Sequence, residues 1–354
     1  MKKKNANYRL IDAKQRKKDE FYTQLSDIES ELIHYERHFE GSVVYCNCDE
    51  PEESNFCRYF YDNFRKLKLS KLIVSGFRKN AQGVCLTYDG RISENYLLTG
   101  DGDFLSEECT SMLRQSDIIV TNPPFSMFRD HIAQLTIENK RFVVIANMNA
   151  LTYKEIFNLI LRNKIWLGMT GFNDFSGFVV PETYDLYGTR SRIDENGKRI
   201  VSTNNTCWFT NLNTAKENQF LKLDRMYSPE VYPYYDNYDA IEVSRVSDIP
   251  CDFSGVMGVP ITFIYRHNPD QFEILGWASG KNEYDVHPIK KYAKAKQHNR
   301  DSSIVKGTKV NTRAALHYSE IPDGVYYTAD NVEGYLSLKY ARIFIKSKFQ
   351  SSGR

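Results

Sequence analysis

The chain has 354 residues, 41% hydrophobic and 26% charged. This composition excludes a disordered chain and suffices for one large core with a smaller partner domain. Lys and Arg number 47 against 45 Asp and Glu, so a polyanion partner has to be met by a local patch, not by net charge. No run reaches the roughly 18 apolar residues of a membrane span. The start Met1-Lys2-Lys3-Lys4 leads into polar sequence instead of an apolar signal core, and the expectation is a soluble, cytoplasmic protein. Seven dispersed Cys, an odd number, read as reduced thiols and not as a disulfide framework.

Residues 1–18 are rich in Lys and Arg with almost no apolar periodicity and read as a solvated basic arm. From Leu25 the spacing Leu25, Ile28, Leu32, Tyr35 is helical and stops before Glu40-Gly41. Short apolar runs follow at 42–45, 72–74, 117–120, 142–145 and 165–167, each read as a buried strand. Helical patterns lie between them, clearest at Phe56, Tyr59, Phe60, Phe64, Leu67 and at Leu151, Ile156, Phe157, Ile160. This alternation predicts an α/β domain with a mostly parallel sheet covered by helices on both faces. Asp89-Gly90 and Asn196-Gly197 predict inserted hairpins. Beyond about residue 215 the alternation fades, Tyr becomes dense (Tyr227, Tyr232, Tyr234, Tyr235, Tyr238) and basic residues gather. We therefore expect domains at 19–215 and 216–354.

Asn122-Pro123-Pro124-Phe125 follows directly on the strand 117–121. Two consecutive prolines hold the chain in a stiff turn at the strand's carboxyl end, where open α/β sheets bind ligands. The Asn122 side-chain oxygen and the Pro123 carbonyl suit the two hydrogens of an exocyclic amine, and would orient its nitrogen toward a methyl donor. Phe125 offers a face for an extruded base. The competing reading is a rigid turn with a buried ring.

The sequence resembles the amino-methyltransferases of adenine in DNA, specifically the EcoRI-type adenine-specific family. The resemblance runs through most of the chain. It is carried by Asp19-Glu20-Phe21-Tyr22-Thr23, by Cys46-Asn47-Cys48-Asp49-Glu50-Pro51 with Ser54-Asn55-Phe56, by 117–125, and by Gly258-Val259-Pro260-Ile261-Thr262-Phe263. It implies a Rossmann-like S-adenosylmethionine-dependent methyltransferase fold at 19–215, with a smaller C-terminal α+β target-recognition domain at 216–354. It implies methyl transfer to N6 of adenine in duplex DNA by base flipping, as the modification enzyme of a restriction-modification system. Asn122, Pro123, Pro124 and Phe125 would be catalytic. Phe21, Tyr22, Thr23, Asp49, Pro51, Asp103 and Phe104 would bind the cofactor. A cognate endonuclease acting on the same site without a stable complex, no membrane association and a monomer complete the expectation.

Each assignment has a structural alternative. Phe21-Tyr22 would serve as a hydrophobic staple at a helix start, Asp49 or Glu50 as the cap of a helix beginning near Glu52, and Asp101-Gly102-Asp103 as an ordinary turn. Two departures stand out: the glycine-rich cofactor turn is replaced by Cys48-Asp49-Glu50-Pro51, and Ser75-Gly76-Phe77-Arg78 stands where many methyltransferases carry an acid for the ribose. No metal is expected, because Cys46 and Cys48 share a strand face and, with Cys57, His34 and His38, lack ligand spacing. His131 is read as structural.

Lys290, Lys291, Lys294, Lys296, Arg300, Lys306, Lys309 and Arg313 stand against a single acid, Asp301, a footprint for DNA phosphates or a solvated basic loop. The Tyr-rich stretch is expected to pack. An RNA adenine or protein-amide methyltransferase, and a non-catalytic DNA-binding module on the same fold, are the alternatives.

Overall fold

A computed structural model describes residues 22–171, 174–180, 182, 186, 191–201, 205–213, 219–278, 284–301, 303–306 and 309–349. The expected basic arm and Phe21 lie outside the described residues. The chain divides into two compact units, one running to Thr214 without Leu161–Asn163 and the other comprising Leu161–Asn163 and the chain from Ala215. No helix among the described residues is long and apolar enough to cross a membrane.

The first unit contains strands β1 (Tyr22–Thr23), β2 (Val43–Cys46), β3 (Lys71–Gly76), β4 (Val84–Tyr88), β5 (Ser93–Leu97), β6 (Ile118–Thr121), β7 (Arg141–Asn147), β8 (Trp166–Leu167), β9 (Phe178–Val180), β10 (Arg192–Ile193), β11 (Arg199–Val201) and β12 (Thr206–Thr210). Its helices are α1 (Leu25–Leu32), α2 (Glu36–Phe39), α3 (Asn55–Asp62), α4 (Glu107–Gln115), α5 (Phe128–Ile137) and α6 (Lys154–Leu161). Eight strands form one sheet in the order β5-β4-β3-β2-β6-β7-β12-β8.

Only the centre of that sheet, β3-β2-β6-β7, is parallel. The remaining neighbours pair antiparallel, which corrects the expected mostly parallel sheet to a mixed one. For β4 the reason is connection length: a parallel return needs a crossover of a dozen residues or so, and seven residues separate β3 from β4. β2 and β6 are buried along nearly their whole length, as strands covered on both faces are. The Asp89-Gly90 hairpin joins β4 to β5 with Gly90 at φ +88°, and the Asn196-Gly197 hairpin joins β10 to β11 with Gly197 at +79°. A smaller antiparallel sheet runs β1-β9-β11-β10.

The second unit carries β13 (Ile241–Glu242), β14 (Val256–Pro260), β15 (Phe272–Trp277), β16 (Lys296–His298), β17 (Ile304–Lys306), β18 (Ala315–Tyr318), β19 (Tyr326–Ala329), β20 (Val332–Leu338) and β21 (Arg342–Ser347). They form sheets of order β13-β14-β21-β15 and β17-β16-β19-β20-β18. From residue 219 onward the described residues hold strands and short 3-10 turns but no α-helix, correcting the expected α+β domain to a β domain. The cause is compositional: this half lacks sustained apolar spacing of 3.6 residues and is dense in Tyr and β-branched residues, which pack well on a pleated surface. Tyr232, Tyr235 and Tyr238 are buried, as the packing reading expected, whereas Tyr234 is exposed. Gly258 of β14 lies against the Tyr235 ring, where a Cβ has no room.

Candidate active site

Strand β2 ends at Cys46, and the chain turns through Asn47 and Cys48 to Asp49, whose amide donates to the Ser75 carbonyl near the end of β3 (3.0 Å). Asp49 is buried. Its Oδ1 accepts from Ser54 Oγ (2.7 Å) and its Oδ2 from Thr121 Oγ1 (2.5 Å). Burial pushes the Asp49 carboxyl up to about 6 against the lowering pull of the Thr121 and Ser54 hydrogen bonds. Ser54 also caps α3, accepting from the Phe56 and Cys57 amides, a contribution of about 1 kcal/mol. The cap is thus Ser54, and neither Asp49 nor Glu50 performs that role. Glu50 instead pairs with Arg78 (2.5 Å), which fills the place where an acid was missing after β3.

No single glycine-rich turn surrounds Asp49, yet three glycines distant in sequence converge beside it. A Cβ on Gly76 would strike Glu50, one on Gly83 would meet the Gly102 backbone at 2.7 Å, and one on Gly102, at φ +84°, would strike the Gly76 carbonyl. The close approach brings Asp101 to Arg78, whose amide donates to the Asp101 carbonyl (2.8 Å). Asp103 is half-buried and its Oδ1 accepts from the Leu105 amide (3.0 Å), so its local role is a turn. It nevertheless lies within electrostatic reach of Cys48, as Asp49 does. Phe104 is buried with its ring edge-on to His131 at 5.1 Å.

His131, on α5, is fully buried and faces Asn47 Oδ1 at 3.0 Å. Burial holds its imidazole down to about 3, hence neutral, which fits the structural role expected of it. Cys46 and Cys57 lie in the apolar core, and His38 turns to the Asn213 carbonyl at 2.9 Å.

Thr121, the last residue of β6, leads into the proline turn. Pro123 is buried, and Asn122, Pro124 and Phe125 are half-buried. The turn's internal hydrogen bond runs from the Met127 amide to the Pro124 carbonyl (2.8 Å), one residue past that of Pro123. Phe125 rests edge-on against Phe178 at 6.1 Å. Phe178 in turn is the strand partner of Thr23, and the Thr23 carbonyl accepts from Asn55 Nδ2 at the start of α3 (2.7 Å). Tyr22 is half-buried beside Thr23, and Pro51 is buried in the turn before α3.

Residues 22–23, 49–55, 103–104 and 121–125 are therefore brought together at the carboxyl ends of β2 and β6. Thr121, Ser54 and Phe178 complete the site and were not singled out as site residues from sequence. A Thr closing an apolar strand and a Phe after a glycine carry no signal of their own.

The family described as "Adenine-specific methyltransferase EcoRI" matches residues 9–95 and 87–348. The chain belongs to this family. It is 48% identical over 306 residues to the Type II methyltransferase M.EcoRI of Escherichia coli, covering 80% of this chain and 93% of that protein. The Type II methyltransferase M.MgeORF184P of Mycoplasma genitalium is 40% identical over 74% of this chain and 84% of its own length. M.MpnI of Mycoplasma pneumoniae is 37% identical over 86% and 96% respectively. No solved structure matches the chain significantly.

For an EcoRI-type methyltransferase the donor set around Asp49 is chemically apt. Among the described residues Asp49 has no cationic partner, and Thr23 Oγ1 is buried without a hydrogen-bond partner. A ligand bearing ammonium and hydroxyl groups satisfies both.

The eight basic residues of 290–313 do not act as one loop. Lys296 lies in β16 and Lys306 in β17. Lys290 pairs with Asp236 (3.0 Å) and Lys294 with Asp330 (3.3 Å). Arg313 lies over the Tyr340 ring at 5.8 Å. Lys291, Arg300 and Lys309 are exposed.

Proposed function

We propose that this chain transfers the methyl group of S-adenosylmethionine to N6 of adenine in duplex DNA, with the target base turned out of the helix, as the modification enzyme of a restriction-modification pair. The observation that carries this reading is the direct link between the two halves of the site: Thr121 donates to Asp49 and is followed by Asn122-Pro123-Pro124-Phe125. The Type II names of three relatives support the restriction-modification setting. On this reading the first unit is the catalytic domain, with a Rossmann-like cofactor layout, and the second recognises the target.

Asp49 and Thr23 hold the ammonium and hydroxyl groups of the cofactor, with Tyr22 and Pro51 beside them, and Asp103 and Phe104 serve its adenine. The bound sulfonium supplies the methyl electrophile and leaves as the neutral thioether. Asn122 and Pro123 accept the two hydrogens of the target amine through their oxygens, which directs the nitrogen lone pair out of conjugation and toward the methyl carbon. Pro124 holds that geometry and Phe125 stacks the base. The nitrogen gives its extra proton to water after the new N–C bond forms, so no base of the protein is needed. The protein acts as a monomer, one strand at a time, and the partner endonuclease reads the same site without a stable complex.

Methylation of native bacterial genomic DNA with labelled S-adenosylmethionine, followed by modification-aware sequencing, tests this. N6-methyladenine confined to one short motif is expected. Clear cofactor binding with no label in DNA, but label in RNA or protein amide, overturns it.

A further inference from the structure

The five-stranded sheet of the second unit has two unlike faces. Tyr327, Leu336 and Ala315 point into an apolar cluster with Tyr292 and Val310, and side chains alternate along strands. The neighbouring positions therefore occupy the opposite face: Lys296 and His298 on β16, Ile304 and Lys306 on β17, Tyr326 and Thr328 on β19, Tyr335 on β20 and Tyr318 on β18. Contacts along that face agree. His298 Nε2 meets Thr328 Oγ1 at 3.0 Å, the His298 and Tyr326 rings stack at 4.6 Å and 3°, and Tyr326 meets Tyr335 edge-on at 5.4 Å. Tyr335 is the direct strand partner of Tyr318, and His298 that of Ile304. A row of rings thus crosses the sheet, ending at Tyr318 (37% exposed) and Ile304 (58% exposed).

Beside the row, Lys296 is the direct cross-strand partner of Lys306. Like charges in that register oppose folding, and among the described residues neither lysine has a carboxylate partner. A cleft of about 520 Å³ opens next to the rings, lined by His298, Arg300, Ile321, Pro322 and Tyr326 with one acid, Asp323.

We propose that this face holds DNA bases exposed where the duplex is opened, with Lys296 and Lys306 clamping a phosphate of the same strand. This inference rests on the reading of the chain as a DNA methyltransferase. The chemistry commits to unstacked DNA because a ring needs the face of a base, which a closed duplex hides. Aromatic platforms beside basic residues are how single strands are held, and an anion between Lys296 and Lys306 relieves their repulsion.

The test is fluorescence anisotropy of the full chain with a labelled 20-nucleotide DNA strand and with the duplex of the same mixed sequence. Tyr326→Leu keeps an apolar body and removes the ring plane. It is expected to weaken single-strand binding about tenfold or more, while duplex affinity stays within about twofold. Lys296→Gln with Lys306→Gln is expected to lower the single-strand salt slope by about 0.7, the value for the one phosphate they share. Urea unfolding of each variant, read in parallel, verifies that the second unit folds. Equal loss on strand and duplex, an unchanged strand affinity, or a wild-type preference for an RNA strand overturns the inference. If wild-type protein methylates DNA while Tyr326→Leu leaves strand binding intact, this inference alone fails. If wild-type protein binds no nucleic acid, the functional reading fails with it.

Discussion

The Thr121 hydroxyl donates to Asp49 Oδ2 at 2.5 Å across 72 positions of sequence. Because Thr121 closes β6 and Asp49 follows β2, its parallel neighbour, this one bond sets the spacing between the proposed cofactor carboxylate and the turn that presents Asn122. The consequences are measurable at both ends of the bond.

At the Asn122 end, Asn122→Ala removes one of the two acceptors for the target amine. Methyl transfer should fall by at least about a hundredfold, on the scale of losing a positioned polar group at a reacting centre, while equilibrium binding of S-adenosylmethionine stays within a few-fold. Undiminished methylation by this variant sinks the assignment.

At the Asp49 end, cofactor binding should depend on pH. The ionised carboxylate is the form that accepts from an ammonium or hydroxyl, and the folded protein holds this group up to about 6. Affinity is expected to rise as pH increases through about 6, with a proton released on binding below that point. Asp49→Asn should bind weakly and without this pH dependence. Thr121→Val deletes a hydrogen bond that favours the carboxylate, so the midpoint should move upward. Without cofactor the sign for stability is the reverse. A carboxyl raised above its unfolded value of 3.8 contributes stability that is present in acid and lost as pH rises through about 6. Calorimetric titration across pH 5 to 8 reads the binding effect, and thermal unfolding of the cofactor-free protein at pH values from about 4 to 7 reads the stability effect.

Gly102→Ala probes the glycine contact that stands in for a glycine-rich turn. Its positive φ and the adjacent Gly76 carbonyl leave no place for a methyl group. The variant should lose cofactor affinity and some stability, whereas Gly197→Ala, also at positive φ but in open space, should lose only about 1 kcal/mol. Thermal unfolding with and without cofactor separates the two.

In the second unit, Arg342 binds both oxygens of Glu242, which also accepts from Tyr235 and Ser244. Both partners of the ion pair are buried. Glu242→Gln leaves a buried guanidinium without its counter-charge and is expected to destabilise this unit by about 3–5 kcal/mol, read by urea unfolding. By contrast, Lys290→Gln breaks a half-exposed pair with Asp236 and should cost about 1 kcal/mol or less.

Short apolar runs determined the central strands β2, β3, β6 and β7 and the flanking β8, because a strand covered on both faces has to be apolar throughout. Asp89-Gly90 and Asn196-Gly197 determined their hairpins through the positive φ those turns require. Asn122-Pro123-Pro124-Phe125 was legible as a stiff turn after a strand, and with the other motifs it named the family. What the linear order left open was pairing. Whether β12 joins β7 antiparallel, and whether residues 219–349 form sheets in place of mixed α and β structure, depends on which surfaces meet, and propensity does not encode that.

The same limit applies at the site. Thr121 and Ser54 look like any hydroxyls near an element's end until the fold carries them to Asp49. Lys290 and Lys306 read identically as basic residues, yet the structure pairs one with Asp236 and sets the other opposite Lys296. Elements follow from local pattern, which the chain carries in itself. Burial, charge pairing and the pKa of Asp49 follow from contacts between residues far apart in sequence, and only the tertiary structure decides those.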